Sequence, residues 1–412
     1  MQSKQAKILQ RSDYTFKYNQ KLGRHGWLRL TPAYSVKLVS EIIANTPKTA
    51  FIIDPFSGSA TTGLVAAERN LTAHCYDINH FLIWLGNAKC RNYTKNDLSL
   101  LRQGVEQCLA EYHAFIGAEN WMPDIYNITR WWCKQTLNII SAFRRSLVDV
   151  FGEPQTEKNR IASLAWIAFC RLVIETSSAA FNHVSMSFSE ETTMYGIEQI
   201  EELYKNIINA IIESASNPLN ETAQIFLHDS RMKMPVQEAK YSHVVTSPPY
   251  PNRMSYIREL RPYMYWTKFL HTAREAGEID WQAIGGTWGI ATSRLQYWSC
   301  DKVYSSESLK TIASKIETSD GKKSLLMSKY VEKYFYDMHC HLKNLRYSLQ
   351  SGATLAYIVG NSSFYGVQVH TEKLLSDSLK ELGFTNIENR IVRKRNSKKE
   401  LYEYCVSAVW SN

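Results

Sequence analysis

Two short apolar runs, AFIID at 50–54 and LTAHCYD at 71–77, are each followed by residues with helical apolar spacing, SATTGLVAAER and INHFLIWLGNAKC. Strands separated by a helix cannot close as a hairpin; they pair parallel, with the helix as crossover. The opening therefore demands an α/β fold, a mostly parallel sheet covered by helices on both faces. A helix precedes the first strand, because TPAYSVKLVSEIIA places Thr31 as N-cap and Pro32 at the first helical position. The rhythm returns late in the chain with AQIFLHD (223–229), SHVVTS (242–247) and ATLAYIVG (353–360). The helix EKLLSDSLKELG then closes at Gly383, and FTNIENRIVRK with LYEYCVSAVW reads as an antiparallel C-terminal strand pair.

Between these blocks the character changes. Residues 95–220 carry four long helical patterns in succession and read as a large helical insertion, in which NITRWW is core because paired tryptophans at the start of an apolar helix are usually buried. Residues 271–326 have weak periodicity and hold GGTWGIATSRLQYW, so they read as an irregular second insertion, a place for target recognition. The α/β core is then 20–94, 221–270 and 327–412. Within it, RMSYIRELRPYMYWTKFL is helical, with Pro262 expected to kink or restart it.

Composition narrows the function. The 412 residues hold 48 Lys plus Arg against 39 Asp plus Glu, a formal charge of +9, which favours a polyanionic partner. The N-terminus lacks an apolar stretch of the secretory kind, and the most apolar run, IASLAWIAFCRLVI, has 14 residues and contains Arg171, so no membrane association is expected. Eight cysteines lie scattered without a CxxC pair, as expected of reduced thiols in the cytoplasm. His339, Cys340 and His341 are adjacent and diverge on a helix, so no metal site is expected there.

Two strand ends carry the chemistry. IIDPFSGSATT (52–62) sets Gly58 in a tight loop before a helix start, where backbone N–H groups and the helix dipole favour an anion. Asp77, at the end of the next strand, is placed to accept from ribose hydroxyls. Neither G-x-G-x-x-G nor the G-K-[ST] of a phosphate loop is present. A carboxylate at Asp54 beside an anion-friendly helix start suits a zwitterion with an ammonium and a carboxylate. At the other strand end, VVTSPPYPNR (244–253) runs into Pro248 and Pro249, which cannot join a ladder and hold the backbone extended.

DPFSGSATT followed by TSPPY resembles the S-adenosylmethionine-dependent DNA amino-methyltransferases of restriction-modification systems. Ala60 stands where their cofactor signature has its last glycine, and the order, cofactor signature first, is that of the unpermuted groups. The resemblance implies a Rossmann-like methyltransferase fold. It also implies S-adenosyl-L-methionine contacts from Asp54, Phe56, Gly58, Ser59, Thr61 and Asp77, from Thr31 and Pro32 in HGWLRLTPAYSVKLV, and from Asp229 and Ser230 in FLHDSR. Ser247, Pro248, Pro249 and Tyr250 match the catalytic signature. An exocyclic amine is a poor nucleophile, and acceptors on its two hydrogens pull it toward attack. Ser247 Oγ and the Pro248 carbonyl are the candidates, with Tyr250 stacking on a base flipped from the duplex. Serine at 247 is more typical of cytosine N4 enzymes than of adenine N6 enzymes. Methylation of a guanine amino group in RNA is a further alternative. Attack on the cytosine ring is not expected, because no cysteine follows a proline.

Double-stranded DNA is therefore the expected partner, and a cognate restriction endonuclease the second. Arg253, Arg258 and Arg261 follow the catalytic loop and are placed near phosphates. Arg294, among polar and aromatic neighbours, suits base-edge readout. Arg393, Lys394 and Arg395 begin the basic tip RKRNSKK of the terminal strand pair.

Overall fold

The computed structural model describes residues 11–30, 33–156, 160–180, 187–188, 192–235, 240–253, 255–287, 289–299, 306–395 and 400–411. Seven strands form one sheet: β1 Phe51–Asp54, β2 Thr72–Asp77, β3 Ala223–Leu227, β4 Tyr241–Thr246, β5 Leu349–Gly360, β6 Phe384–Lys394 and β7 Tyr402–Trp410. Their spatial order is β6-β7-β5-β4-β1-β2-β3. The first five strands in chain order pair parallel, and β7 runs antiparallel to both β5 and β6. This is the mostly parallel sheet with an antiparallel terminal pair that the sequence demands. The chain order reverses between β1 and β4, and in open α/β sheets the crevice at such a switch point is where ligands bind.

The helices are α1 Val36–Ile42, α2 Thr61–Glu68, α3 His80–Cys90, α4 Lys95–Glu111, α5 Lys134–Phe151, α6 Ala162–Glu175 and α7 Ile197–Ala215. They continue as α8 Tyr256–Trp266, α9 Ala273–Gln282, α10 Ile290–Tyr297, α11 Glu307–Glu317, α12 Ser324–Leu345 and α13 Thr371–Glu381. Strand alternation sends neighbours to opposite faces. Ile52, Cys75 and Val245 pack under α1 and α2, while Ile53, Tyr76 and Val244 pack under α12 and α13. A third core joins α3 to the helices of the 95–220 segment and to α8 through Phe81, Phe143, Trp166, Tyr204 and Trp266. Trp131 and Trp132 are buried there. The buried Arg24 ties the N-terminal segment to this layer, donating to the Lys89, Ala215 and Asn217 carbonyls where α3 and α7 end.

Three expectations are corrected. The described residues of 271–326 are not irregular: α9, α10 and α11 lie among them, and Leu295, Leu309 and Ile316 join the core beneath α12. Their short length and intervening glycines hide the periodicity. The helix before β1 is capped by Ser35, whose Oγ accepts from the Lys37 backbone N–H at 3.1 Å; Thr31 and Pro32 precede it and lie outside the described residues. Pro262 sits inside one continuous helix, α8.

Candidate active site

The loop from Asp54 to Ala60 connects β1 to α2. Asp54 is fully buried and turns inward: its carboxylate accepts from the Phe56 backbone N–H at 3.0 Å, Thr246 Oγ at 2.5 Å and the Tyr34 hydroxyl at 3.5 Å. Burial raises its pKa, against these hydrogen bonds. Asp54 thus pins the cofactor loop to β4 and does not face the cavity, contrary to the role expected for it toward an ammonium. Gly58 has φ +50, and a Cβ there would meet nothing nearer than the Phe56 carbonyl at 3.9 Å, so the loop leaves open space above it. Ala60 has φ +60, the left-handed region that costs an L-residue roughly 1–2 kcal/mol, which is the physical reason for the family's glycine. Lys89, buried at the end of α3, donates to the Ser59 carbonyl at 2.6 Å, and burial lowers its pKa to about 8.

Asp77 accepts from the Gly58 N–H at 2.9 Å and the Asn79 N–H at 2.9 Å, and burial raises its pKa to about 6. It faces a cavity of about 1040 Å³, counted with its open mouth, over the C-terminal ends of β1, β2, β3 and β4. Phe56, Ile78, Leu82, Leu260 and Ile284 form apolar walls, and Asp77, Asp229, Ser230 and Ser247 provide polar groups. Such a lining, apolar with a few convergent polar groups, is that of a small-molecule site. The flat apolar walls and an acceptor at Asp77 fit an adenosine, so the residues present are compatible with the cofactor the fold implies.

On the β3 side, Asp229 is held by Arg231 through Nε at 3.0 Å and Nη2 at 2.6 Å. Burial raises the Asp229 pKa, but Arg231 outweighs it and the net shift is downward. His341 Nδ1 donates to the Ser230 carbonyl at 3.1 Å, and its Nε2 accepts from the Tyr357 hydroxyl at 2.7 Å. Burial lowers its pKa to about 4, so it stays neutral and acts as a prop for the cavity wall. His339 lies beside Ser378 Oγ at 2.9 Å.

The TSPPY loop leaves β4 at the same cavity, with Ser247 and Pro249 in its wall. Ser247 Oγ donates to the Ile358 carbonyl at 3.1 Å, which uses its proton and leaves its lone pairs as acceptors. The Pro249 carbonyl is taken by the Tyr334 hydroxyl at 2.8 Å; among the described residues no hydrogen bond reaches the Pro248 carbonyl. Tyr250 does not line the cavity. Its ring lies against Gly360 with the Arg395 guanidinium 5.4 Å from its centroid, and its N–H donates to the Tyr256 hydroxyl at 3.0 Å. Tyr256, with Tyr34 and Phe56, brings an aromatic ring to the cavity wall.

Thr61 opens α2 fully buried, behind the loop rather than in the cavity. Among the basic residues, Arg253 is exposed at φ +61 with its N–H on the Tyr330 hydroxyl at 3.2 Å, and Arg258 is half-buried on α8. Arg294 forms two hydrogen bonds with Glu278, at 2.7 and 2.8 Å, and Arg393 two with Glu403, both at 2.6 Å. Lys394 pairs with Glu400 at 2.8 Å. Arg395 donates to the Asn361 carbonyl. Base readout by Arg294 therefore competes with a carboxylate 16 residues earlier, invisible to a reading of its immediate neighbours. Residues 396–399 of the basic tip lie outside the described residues. Asn79, His228, Glu259 and Gln282 also line the cavity and escaped the sequence reading. Among the described residues there is no cluster suited to a metal ion and no helix long and apolar enough to cross a membrane.

The chain is similar in sequence to known DNA methyltransferases. The family model for D12 class N6 adenine-specific DNA methyltransferases matches residues 36–225. Type II methyltransferase M.AvaI from Nostoc sp. (strain PCC 7120 / SAG 25.82 / UTEX 2576) is 23% identical over 433 residues, covering 95% of this chain and 86% of its own. The M.AvaI of Anabaena variabilis matches with the same identity and coverage. Among solved structures, the rRNA methyltransferase aviRa from Streptomyces viridochromogenes aligns over 92% of this chain and 86% of its own, at 11% identity and a TM-score of 0.28.

Proposed function

We propose, from the premise that this chain is a DNA methyltransferase of restriction-modification type that draws its methyl group from S-adenosylmethionine, that it methylates the exocyclic N4 of cytosine. The observation that carries the reading is Ser247 in the wall of the cavity that also holds the Gly58 loop and Asp77. When bound, S-adenosylmethionine supplies an electrophilic methyl on a positively charged sulfur. The chain's own residues prepare the nucleophile. Ser247 Oγ, with its proton on the Ile358 carbonyl, and the Pro248 carbonyl accept the two amine hydrogens and localise the nitrogen lone pair. Asp77, Phe56, Ser59, Asp229 and Ser230 hold the cofactor, with Asp54 and Thr61 positioning the loop from behind. Tyr250 stacks on the flipped base once it leaves Gly360, with Tyr256 already facing the cavity.

Adenine N6 is the second reading, favoured by the description of the matching family model. That match ends at residue 225, ahead of β4 and the loop that holds the target amine, so it bears on the cofactor half. Arg253, Arg258 and Arg395 are the proposed phosphate contacts, and the segment 271–326 is the proposed target-recognition region. A cognate endonuclease in the same system and a cytoplasmic setting complete the proposal. Radiolabelled cofactor offered with duplex DNA or with tRNA tests the substrate class. Label in DNA that falls on the order of 10²-fold in Ser247→Ala supports the reading; label in tRNA alone overturns it.

A further inference from the structure

Arg231 does not itself line the cavity, but it joins two residues of its wall. Its guanidinium grips Asp229, which follows β3, and the same Nη2 donates to the Gln282 carbonyl at the end of α9, at 2.9 Å. Asp229 and Gln282 both line the cavity. Arg231 Nη1 faces Asp337 of α12 at 3.4 Å, and Asp337 accepts from Lys333 at 2.6 Å. The Lys333 ammonium in turn lies 4.8 Å from the Trp281 ring centroid on α9. Asp337 is buried, so its contacts with Arg231 and Lys333 have little competition from water. A planar guanidinium suits the task, because it can hold a carboxylate with two donors while a further donor reaches a carbonyl.

We infer that Arg231 is a positioning residue that ties the cofactor wall at Asp229 to α9, so that filling the cavity is felt by the α9–α10 segment. The inference rests on the cavity being the cofactor site and adds a route from it to the segment proposed for target recognition. Cofactor bound against Asp229 orders the guanidinium, and the guanidinium orders the end of α9. Without the guanidinium the Asp229 carboxylate is no longer held in place, so cofactor affinity should fall tenfold or more.

The test uses S-adenosylhomocysteine as probe, with calorimetry for affinity and amide hydrogen exchange for residues 273–281 and 290–297, which do not line the cavity. In the wild-type chain the probe slows exchange in both helices. Arg231→Met should bind at least tenfold more weakly and lose that protection at saturating probe, while the loop at 55–60 remains protected. Arg231→Lys should recover part of the affinity, and Asp337→Asn, which keeps the Asp229 contact, should weaken the helix protection. A purely structural role would lower thermal stability without uncoupling the two segments. Unchanged affinity and helix protection in Arg231→Met overturn the inference alone; if that variant does not fold, unchanged protection in Asp337→Asn does the same. Failure of the wild-type chain to bind the probe overturns the cofactor reading itself.

Discussion

Gly360, the last residue of β5, is where a single methyl group should separate stability from catalysis. A Cβ built there would lie 2.7 Å from Tyr250 Cδ2, 2.9 Å from Cε2 and 2.8 Å from Arg395 Cζ. Carbon atoms pack at about 3.5–4.0 Å, so Gly360→Ala must push the Tyr250 ring roughly 1 Å away or move the strand. Arg395, near the end of a flexible side chain, can yield cheaply; the tyrosine belongs to the loop that carries Ser247 and Pro248. Overpacking of this size costs about 1–3 kcal/mol, a shift of a few degrees in melting temperature for a chain of this length. A catalytic group displaced by about 1 Å costs on the order of 10²-fold in rate. Initial rates of methyl transfer to genomic DNA, measured beside a thermal melt, should therefore show a near-native fold with a rate at least tenfold lower. A Gly360→Ala chain that melts within a few degrees of wild type and transfers methyl groups within a factor of two would refute the view that this contact sets the catalytic loop.

Two further predictions concern the cofactor half. Asp54→Ala strands the Phe56 N–H and the Thr246 hydroxyl, at about 1–3 kcal/mol for each buried donor left unpaired, so urea unfolding should show a loss of that order. Asp77 titrates at about 6, raised from 3.8, so its contribution to folding stability falls as pH climbs between those values and is flat above. Cofactor affinity should run the other way, rising with pH through about 6 as the carboxylate becomes a full acceptor; calorimetry from pH 5 to 8 reads the slope, and Asp77→Asn should flatten it.

The parts of the molecule written in contiguous residues were legible in the sequence. All seven sheet strands follow from short apolar runs between turn residues, and the two signature loops lie at the ends of β1 and β4 as their neighbouring apolar runs require. The α9–α11 region was not legible, because each helix is short and glycines interrupt the series. Nor were the props of the site. Lys89 reaches Ser59 across 30 residues, His341 reaches Ser230 across 111, and Arg231 reaches Gln282 across 51, none of them signalled by local spacing. Asp54 shows the reverse failure: its place in the signature was visible, but its inward rotamer depends on Thr246, brought alongside only by the β1–β4 pairing.

Enzymatic digestion of methylated DNA to nucleosides, after incubation with the protein and isotopically labelled S-adenosylmethionine, tests the central claim most directly. Label is expected in N4-methylcytosine, reduced on the order of 10²-fold in Ser247→Ala. Label in N6-methyladenine would contradict the reading of Ser247 as a cytosine marker, and DNA without any amino-methylated nucleoside would contradict the assignment of the cavity and its loop to amino-methyl transfer.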